Sequence, residues 1–223
     1  MLIRKLSYQG GGTVENRDLI ASFKQGNFNF FLLIDGATDS PDSGKFARQI
    51  GNALQKYVSG LDTDGLSLSQ VNDSLLQELK RIQKTLQKEH ISDYASLLLV
   101  IQHENLMQAN NWGDCLLGRI NSDTTIDWLT VPHTAANKTD PDKPVEDIVL
   151  DNQRHSLTRS FKARRYEQPD IYTIEIKAGE KVILASDGFW ACTSETDQQI
   201  LLNQTYKNIK PVEDDMSFII FKP

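Results

Sequence analysis

At 223 residues the chain suits one large domain rather than two small ones, and 39% apolar with 24% charged residues supports a packed core and excludes wholesale disorder. The formal net charge of -6 speaks against a nucleic-acid-binding or polybasic membrane-binding protein. Two distant cysteines, Cys115 and Cys192, each in apolar context and outside any CxxC spacing, read as reduced thiols of a cytoplasmic protein.

The opening MLIRKLSYQGGG has no apolar run of signal-peptide length, and no stretch approaches the ~20 apolar residues of a membrane span. LIASF (Leu19 to Phe23) and FNFFLLI (Phe28 to Ile34) read as strands joined by a turn around Gly26. From Asp42 the period becomes helical, with Phe46, Ile50, Leu54 and Val58 on one face and Gly60 as the stop. A second helix carries Leu68, Val71, Leu75, Leu79, Ile82 and Leu86 in one stripe, better read as core packing than as a coiled coil. ASLLLVIQ, LMQANNW, CLLGRI and TIDWLT follow as short strands with polar turns between them. Pro132 to Asp151 reads as a loop with at most a short helix. DIYTIEI and KVILAS are strands, a polar helix is expected near Ser194 to Tyr206, and MSFIIFK is a last strand. Helices segregated from antiparallel strands imply an α+β fold packed in layers, in one domain spanning 1–223.

Aspartates recur at the ends of the apolar runs. Asp35 ends FFLLI and precedes Gly36; Asp114 lies between NNWG and CLLG; Asp187 ends VILAS and precedes Gly188; Asp214 and Asp215 precede MSFIIF. A charge at the mouth of a core strand is costly without a partner. Taken singly, each Asp-Gly is more simply a turn. Four together at strand ends suggest an all-oxygen site for a hard cation such as Mg²⁺ or Mn²⁺. The histidines, His90, His103, His133 and His155, are scattered without ligand spacing, which speaks against zinc, and no GxSxG or P-loop pattern is present.

Taken in order, NRD, LLIDG, NNWGDCLLGRI with Leu129-Thr130, HSLTRSF, VILASDGFW and EDDMSFIIF resemble the PP2C, or PPM, family of metal-dependent serine/threonine protein phosphatases over nearly the whole chain. The resemblance implies a four-layer α-β-β-α sandwich, two antiparallel sheets flanked by helix pairs. It implies two Mn²⁺ or Mg²⁺ ions. Asp35 would bridge both, the Gly36 carbonyl would bind one, Asp187 and Asp214 would hold the other, and Asp114 would serve a third, weaker ion. Asp215 would be structural. A metal-activated water would then attack phosphorus, with Asp35 and Asp187 at the centre of catalysis. A phosphoprotein substrate, an opposing Ser/Thr kinase and a monomeric state go with this resemblance.

Three positions depart from the family pattern. Its phosphate-gripping arginine corresponds to Thr13, the glutamate of its NED motif is Arg17, and its DGxGG loop is DGATDS, with Ala37 where some members place a histidine. Arg17 is expected either to take over the phosphate grip, which would make it catalytic, or to turn away and pair with Glu15. The cluster Arg159, Lys162, Arg164 and Arg165 reads as a solvated turn or as a collector of anionic substrate. Two functions of different class follow: an active phosphatase, or a pseudo-phosphatase that binds and regulates.

Overall fold

The run Phe28 to Ile34 is apolar except at Asn29, and a strand that is apolar on alternate and intervening positions must be covered on both faces. The computed structural model, which describes residues 2–203 and 212–222, shows what covers it. Strands β1 (Leu2–Tyr8), β2 (Leu19–Gln25) and β3 (Phe28–Gly36) lead into helices α1 (Ser43–Ser59) and α2 (Leu68–Leu86). Then come β4 (Tyr94–His103), β5 (Leu106–Trp112), β6 (Leu116–Ile120) and β7 (Ile126–Trp128). A short helix α3 (Val145–Val149), strands β8 (Phe161–Lys162), β9 (Asp170–Glu175) and β10 (Lys181–Ala185), helices α4 (Asp187–Trp190) and α5 (Glu195–Asn203), and strand β11 (Met216–Phe221) complete the order.

One sheet has the order β2-β3-β4-β5-β9, with β8 on the end of β4; the other has the order β1-β11-β10-β6-β7, and every pairing is antiparallel. Phe30, Leu32 and Ile34 turn toward the stripe of α1 and α2 formed by Phe46, Ile50, Leu54, Val71, Leu75 and Leu79. Phe31 and Leu33 turn the other way, onto Val182, Leu184, Ile219 and Phe221 of the second sheet. That sheet in turn packs Ile183, Ala185, Phe218 and Ile220 against Phe189, Trp190, Ile148 and Leu201 of the short helices. The result is the expected α+β sandwich of four layers.

The elements follow local rules. Gly26 takes φ +53 in the β2–β3 turn, and Gly60 caps α1. Ser67 and Gln70 form a capping box at the start of α2. The helix expected near Ser194 to Tyr206 is α5 (Glu195–Asn203), and positions 204–206 lie outside the described residues. The 132–151 segment holds a 3-10 turn at Ala135–Asn137 and α3. Cys115 and Cys192 are both free thiols. Among the described residues no helix is long and apolar enough to cross a membrane.

One buried side chain joins the N-terminal loop to the last strand. The Asp215 carboxylate accepts from Gly10 N at 2.8 Å, Thr13 Oγ1 at 2.7 Å and Arg17 N at 2.8 Å. Gly11 N and Gly12 N donate to the carbonyls of Val212 and Glu213 at 2.8 and 2.9 Å. Gly10 permits the approach, since a Cβ there would lie 2.3 Å from the Asp214 carbonyl carbon. Asp215→Ala is expected to cost about 3 kcal/mol in denaturant unfolding, because two backbone donors and a hydroxyl lose a charged acceptor. A loss under 0.5 kcal/mol, on the scale of a surface substitution, would show that the loop is held by other contacts.

Candidate active site

The strand ends converge. Asp35 sits on the penultimate residue of β3, Asp114 between β5 and β6, Asp187 two residues past the end of β10 and Asp214 two residues before the start of β11. All four line one cleft of about 610 Å³, with Thr13, Tyr94, Arg154, His155 and Cys192 among the other walls. Gly36 is buried at the end of β3, behind Ala37, which reaches the cleft. Asp187 does not cap a strand end; it opens α4, and among the described residues the cation paired with it is Arg154, with Nη1 3.5 Å from Oδ2. The aromatics that follow Asp187 lock the turn. Phe189 fills the core, and the Trp190 indole N–H donates to the Asp114 carbonyl at 2.9 Å.

A fifth acid belongs with these four. Asp18 stands one residue before β2, and Ser186 Oγ donates to its Oδ2 at 3.2 Å. Its Oδ1 is buried without a partner. The same strand-end reasoning that picked out Asp35 applies to the start of β2, yet attention to Arg17 obscured its neighbour.

Burial first, and mutual repulsion after it, raise the proton affinity of the acids. Burial pushes the Asp18 carboxyl up to about 7, with Asp215 and Asp214 adding repulsion and Ser217 and Ser186 opposing it. Burial, then Asp18, Asp187 and Asp114, hold Asp35 well above the usual carboxylate range. Asp187 is raised likewise, by burial and then by Asp114 and Asp214, with Arg154 opposing. Asp114 is pushed up to about 6 by burial, moderated by a hydrogen bond from Ser96.

Neighbouring networks fix the loops that carry the acids. Gly113, at φ +129, passes so close to Ser96 that a Cβ would lie 2.3 Å from Oγ. Its N–H donates to His133 Nδ1 at 2.9 Å, which makes His133 Nε2 the protonated nitrogen, 2.8 Å from Asp170 Oδ2. Burial depresses the His133 pKa. The loop after Gly36 is held by Asp93, which accepts from Ser40 Oγ at 2.5 Å and Asp42 N at 3.2 Å and meets His90 Nδ1 at 2.6 Å.

Arg17 is not on the cleft wall. Its Nη1 is buried without a partner, and Glu15 pairs with Arg48 instead, at 3.5 Å. Arg17 stays off the cleft, as the second expectation has it, but Glu15 is not its partner, and its backbone N–H donates to Asp215. The basic cluster also stands off the cleft. Arg159 pairs with Asp170, Lys162 lies 3.5 Å from Glu167, and Arg164 and Arg165 are exposed. The guanidinium that does face the acids, Arg154, comes from a 3-10 turn (Asn152–His155) whose sequence gave no periodic signal.

The donor set fits a hard divalent cation. It is all oxygen, it includes an orphaned buried oxygen on Asp18, and no hydrogen bond among the described residues reaches the Asp35 carboxylate. Among the described residues no three acidic, histidine or cysteine side chains stand close enough together to hold a metal ion as they are placed.

A carboxyl whose pKa is raised by folding binds its proton more tightly in the folded state. Stability therefore falls as pH rises from the unfolded carboxylate value near ~4 through the folded value, about 6 for Asp114 and about 7 for Asp18. In EDTA the protein is expected to melt at a lower temperature at pH 8 than at pH 5, and Mn²⁺ is expected to restore the loss at pH 8. A melting temperature flat across this range would show that the acids do not repel one another as described.

No sequence-family model matches the chain, and no curated protein sequence does. Solved structures do match. The serine/threonine phosphatase Stp1 from Staphylococcus aureus superposes with a TM-score of 0.82 at 19% identity, over 100% of this chain and 95% of that one. The S. agalactiae serine/threonine phosphatase gives 0.79 at 17% identity, over 98% of each chain. The PPM Ser-Thr phosphatase MsPP from Mycobacterium smegmatis gives 0.73 at 20% identity, over 97% of this chain and 96% of that one. Two antiparallel sheets packed between helix layers are thus the fold of the PPM-type serine/threonine phosphatases.

Proposed function

We propose that the protein is a metal-dependent protein serine/threonine phosphatase, one catalytic domain acting in the cytoplasm as a monomer on phosphoproteins made by a Ser/Thr kinase. The observation that carries this reading is the convergence of Asp35, Asp114, Asp187 and Asp214, with Asp18 behind them, around a cleft that also holds one guanidinium. Asp35, the Gly36 carbonyl, Asp187 and Asp214 would hold two Mn²⁺ or Mg²⁺ ions, and Asp114 a weaker third. Bound there, the ions would supply a water acidic enough to act as hydroxide near neutral pH and would neutralise charge on the phosphoryl group.

The chain's own residues do the rest. Arg154 grips the phosphoryl oxygens, in the role expected of Arg17. Its planar fork meets a single carboxylate oxygen at 3.5 Å, and a phosphate offers it two. Asp18 accepts from Ser186 through one oxygen and keeps the other for a ligand or a ligand's water. Trp190 and His133 hold the Asp114 loop in register with the Asp187 turn.

One observation favours the pseudo-phosphatase alternative. Thr13, at the family's arginine position, spends its hydroxyl on Asp215, so the N-terminal segment sends no cation into the cleft. The two readings separate in one assay. The phosphatase reading expects phosphoserine-peptide hydrolysis that needs Mn²⁺ and stops with EDTA; the alternative expects stoichiometric peptide binding without turnover.

Two substitutions sharpen the assignment. Asp187→Asn is expected to weaken Mn²⁺ binding in calorimetry while the fold persists. Arg154→Ala is expected to raise KM and the inhibition constant of phosphate by about 10- to 100-fold, the worth of one charge-assisted interaction. Phosphate inhibition that survives Arg154→Ala and vanishes in Arg17→Ala would return the grip to Arg17.

A further inference from the structure

Cleaving a serine or threonine phosphate ester expels an alkoxide. Alkoxides are strongly basic, so the departing oxygen needs a proton while the P–O bond breaks. The buried acids are assigned to cations. Apart from carboxyl groups and the weakly acidic aliphatic hydroxyls of Thr13, Thr38 and Ser96, four side chains on the cleft wall carry a proton: Tyr94, Cys192, Arg154 and His155.

Three of them are unsuited. The Tyr94 hydroxyl donates to Asp39, and burial followed by that bond pushes its pKa up to about 12. Burial, then Asp187, pushes the Cys192 thiol up to about 11, and its sulfur already receives Arg154 Nη2 at 3.7 Å. A guanidinium does not give up its proton in a protein.

His155 differs on each count. Its side chain is exposed on the cleft wall, and its ring makes no hydrogen bond among the described residues. An imidazole exchanges its proton near neutral pH. The turn that carries it is fixed: Asp151 caps it by accepting from Gln153 N at 2.9 Å, Lys143 holds Asp151 at 2.8 Å, and Ala135 N donates to Ser156 O at 2.8 Å. Arg154 precedes His155 on that turn and reaches Asp187. One rigid turn thus offers a fork for the phosphoryl oxygens and, at the next position, an imidazole for the bridging oxygen. Ala37, on the wall beside Asp35, has no proton to give.

We propose that His155 is the general acid of the reaction. Its imidazolium N–H gives a proton to the serine or threonine oxygen as the P–O bond breaks. The bonding pair goes to that oxygen, the neutral alcohol departs, and the neutral imidazole recovers a proton from solvent. This inference rests on the phosphatase reading.

The test compares two leaving groups in the Mn²⁺-loaded protein, a phosphoserine peptide and 4-nitrophenyl phosphate, whose nitrophenolate departs without a proton. His155→Asn is expected to lose about 100-fold in kcat on the peptide and only a few-fold on 4-nitrophenyl phosphate. Mn²⁺ affinity by calorimetry and KM for the peptide are expected to hold. Equal losses on both esters, no loss on either, or a fall in Mn²⁺ affinity that accounts for the loss would overturn the proposal. A wild-type protein inert on both esters would overturn the phosphatase reading, and this inference with it.

Discussion

Mutual repulsion among carboxylates at one end of the sandwich is the constraint on which the rest of the structure depends. Two unit charges ~5 Å apart at an effective dielectric of ~20 repel by about 3 kcal/mol, and five acids meet here. Left to themselves, such side chains would turn outward into water. They are held in place because each is anchored to a strand or turn that the core has already fixed. Asp35 continues a strand locked on both faces by Phe30, Phe31, Leu32 and Leu33. Asp187 and Asp114 are tied together through Trp190. The two hydrophobic layers on either side of the six-stranded sheet supply the rigidity that the acids oppose.

A structural carboxylate stands beside the functional ones and shows the contrast. Asp215 lies one residue from Asp214, is buried as Asp114 and Asp187 are, and satisfies its oxygens with Gly10, Thr13 and Arg17. Asp18 and Asp35 leave oxygen atoms without such partners. Burial alone therefore does not distinguish a site acid from a scaffold acid. The state of its lone pairs does: Asp215 gives three of a carboxylate's roughly four acceptor sites to the protein, whereas Asp35 gives none to a hydrogen bond among the described residues.

Much of this was legible in the sequence. The strands β3 and β4 announce themselves as unbroken apolar runs, and the helices α1 and α2 as stripes at helical spacing, because both signals come from burial, which the sequence records directly. The four strand-end aspartates were legible for the same reason, since a charge is conspicuous beside an apolar run. What stayed hidden lacks such contrast. β1, with Arg4 and Lys5 inside LIRKLSY, has no apolar run to mark it as a strand because it lies at a sheet edge. Arg154 and His155 come from an aperiodic segment placed by tertiary contacts, among them those to Thr134, Ala135 and Lys143. Arg17 looked like a site residue by its neighbours in sequence, but the backbone turn that sends its N–H to Asp215 puts its side chain elsewhere.

The pairing of β11 between β1 and β10 has a consequence for how the molecule assembles. The last strand in sequence is an interior strand of its sheet, so that sheet is split until residues 216–221 arrive. During synthesis β1 has no neighbour to pair with for some two hundred residues, an unusually long-range closure that slows folding. Asp214 enters with the same strand, just ahead of it. The six-stranded layer and its two helices can form early, but the acid cluster is incomplete until the final strand slots in. A nascent chain therefore exposes an open sheet edge without its cation site, and the step that closes the edge is also the step that completes the site.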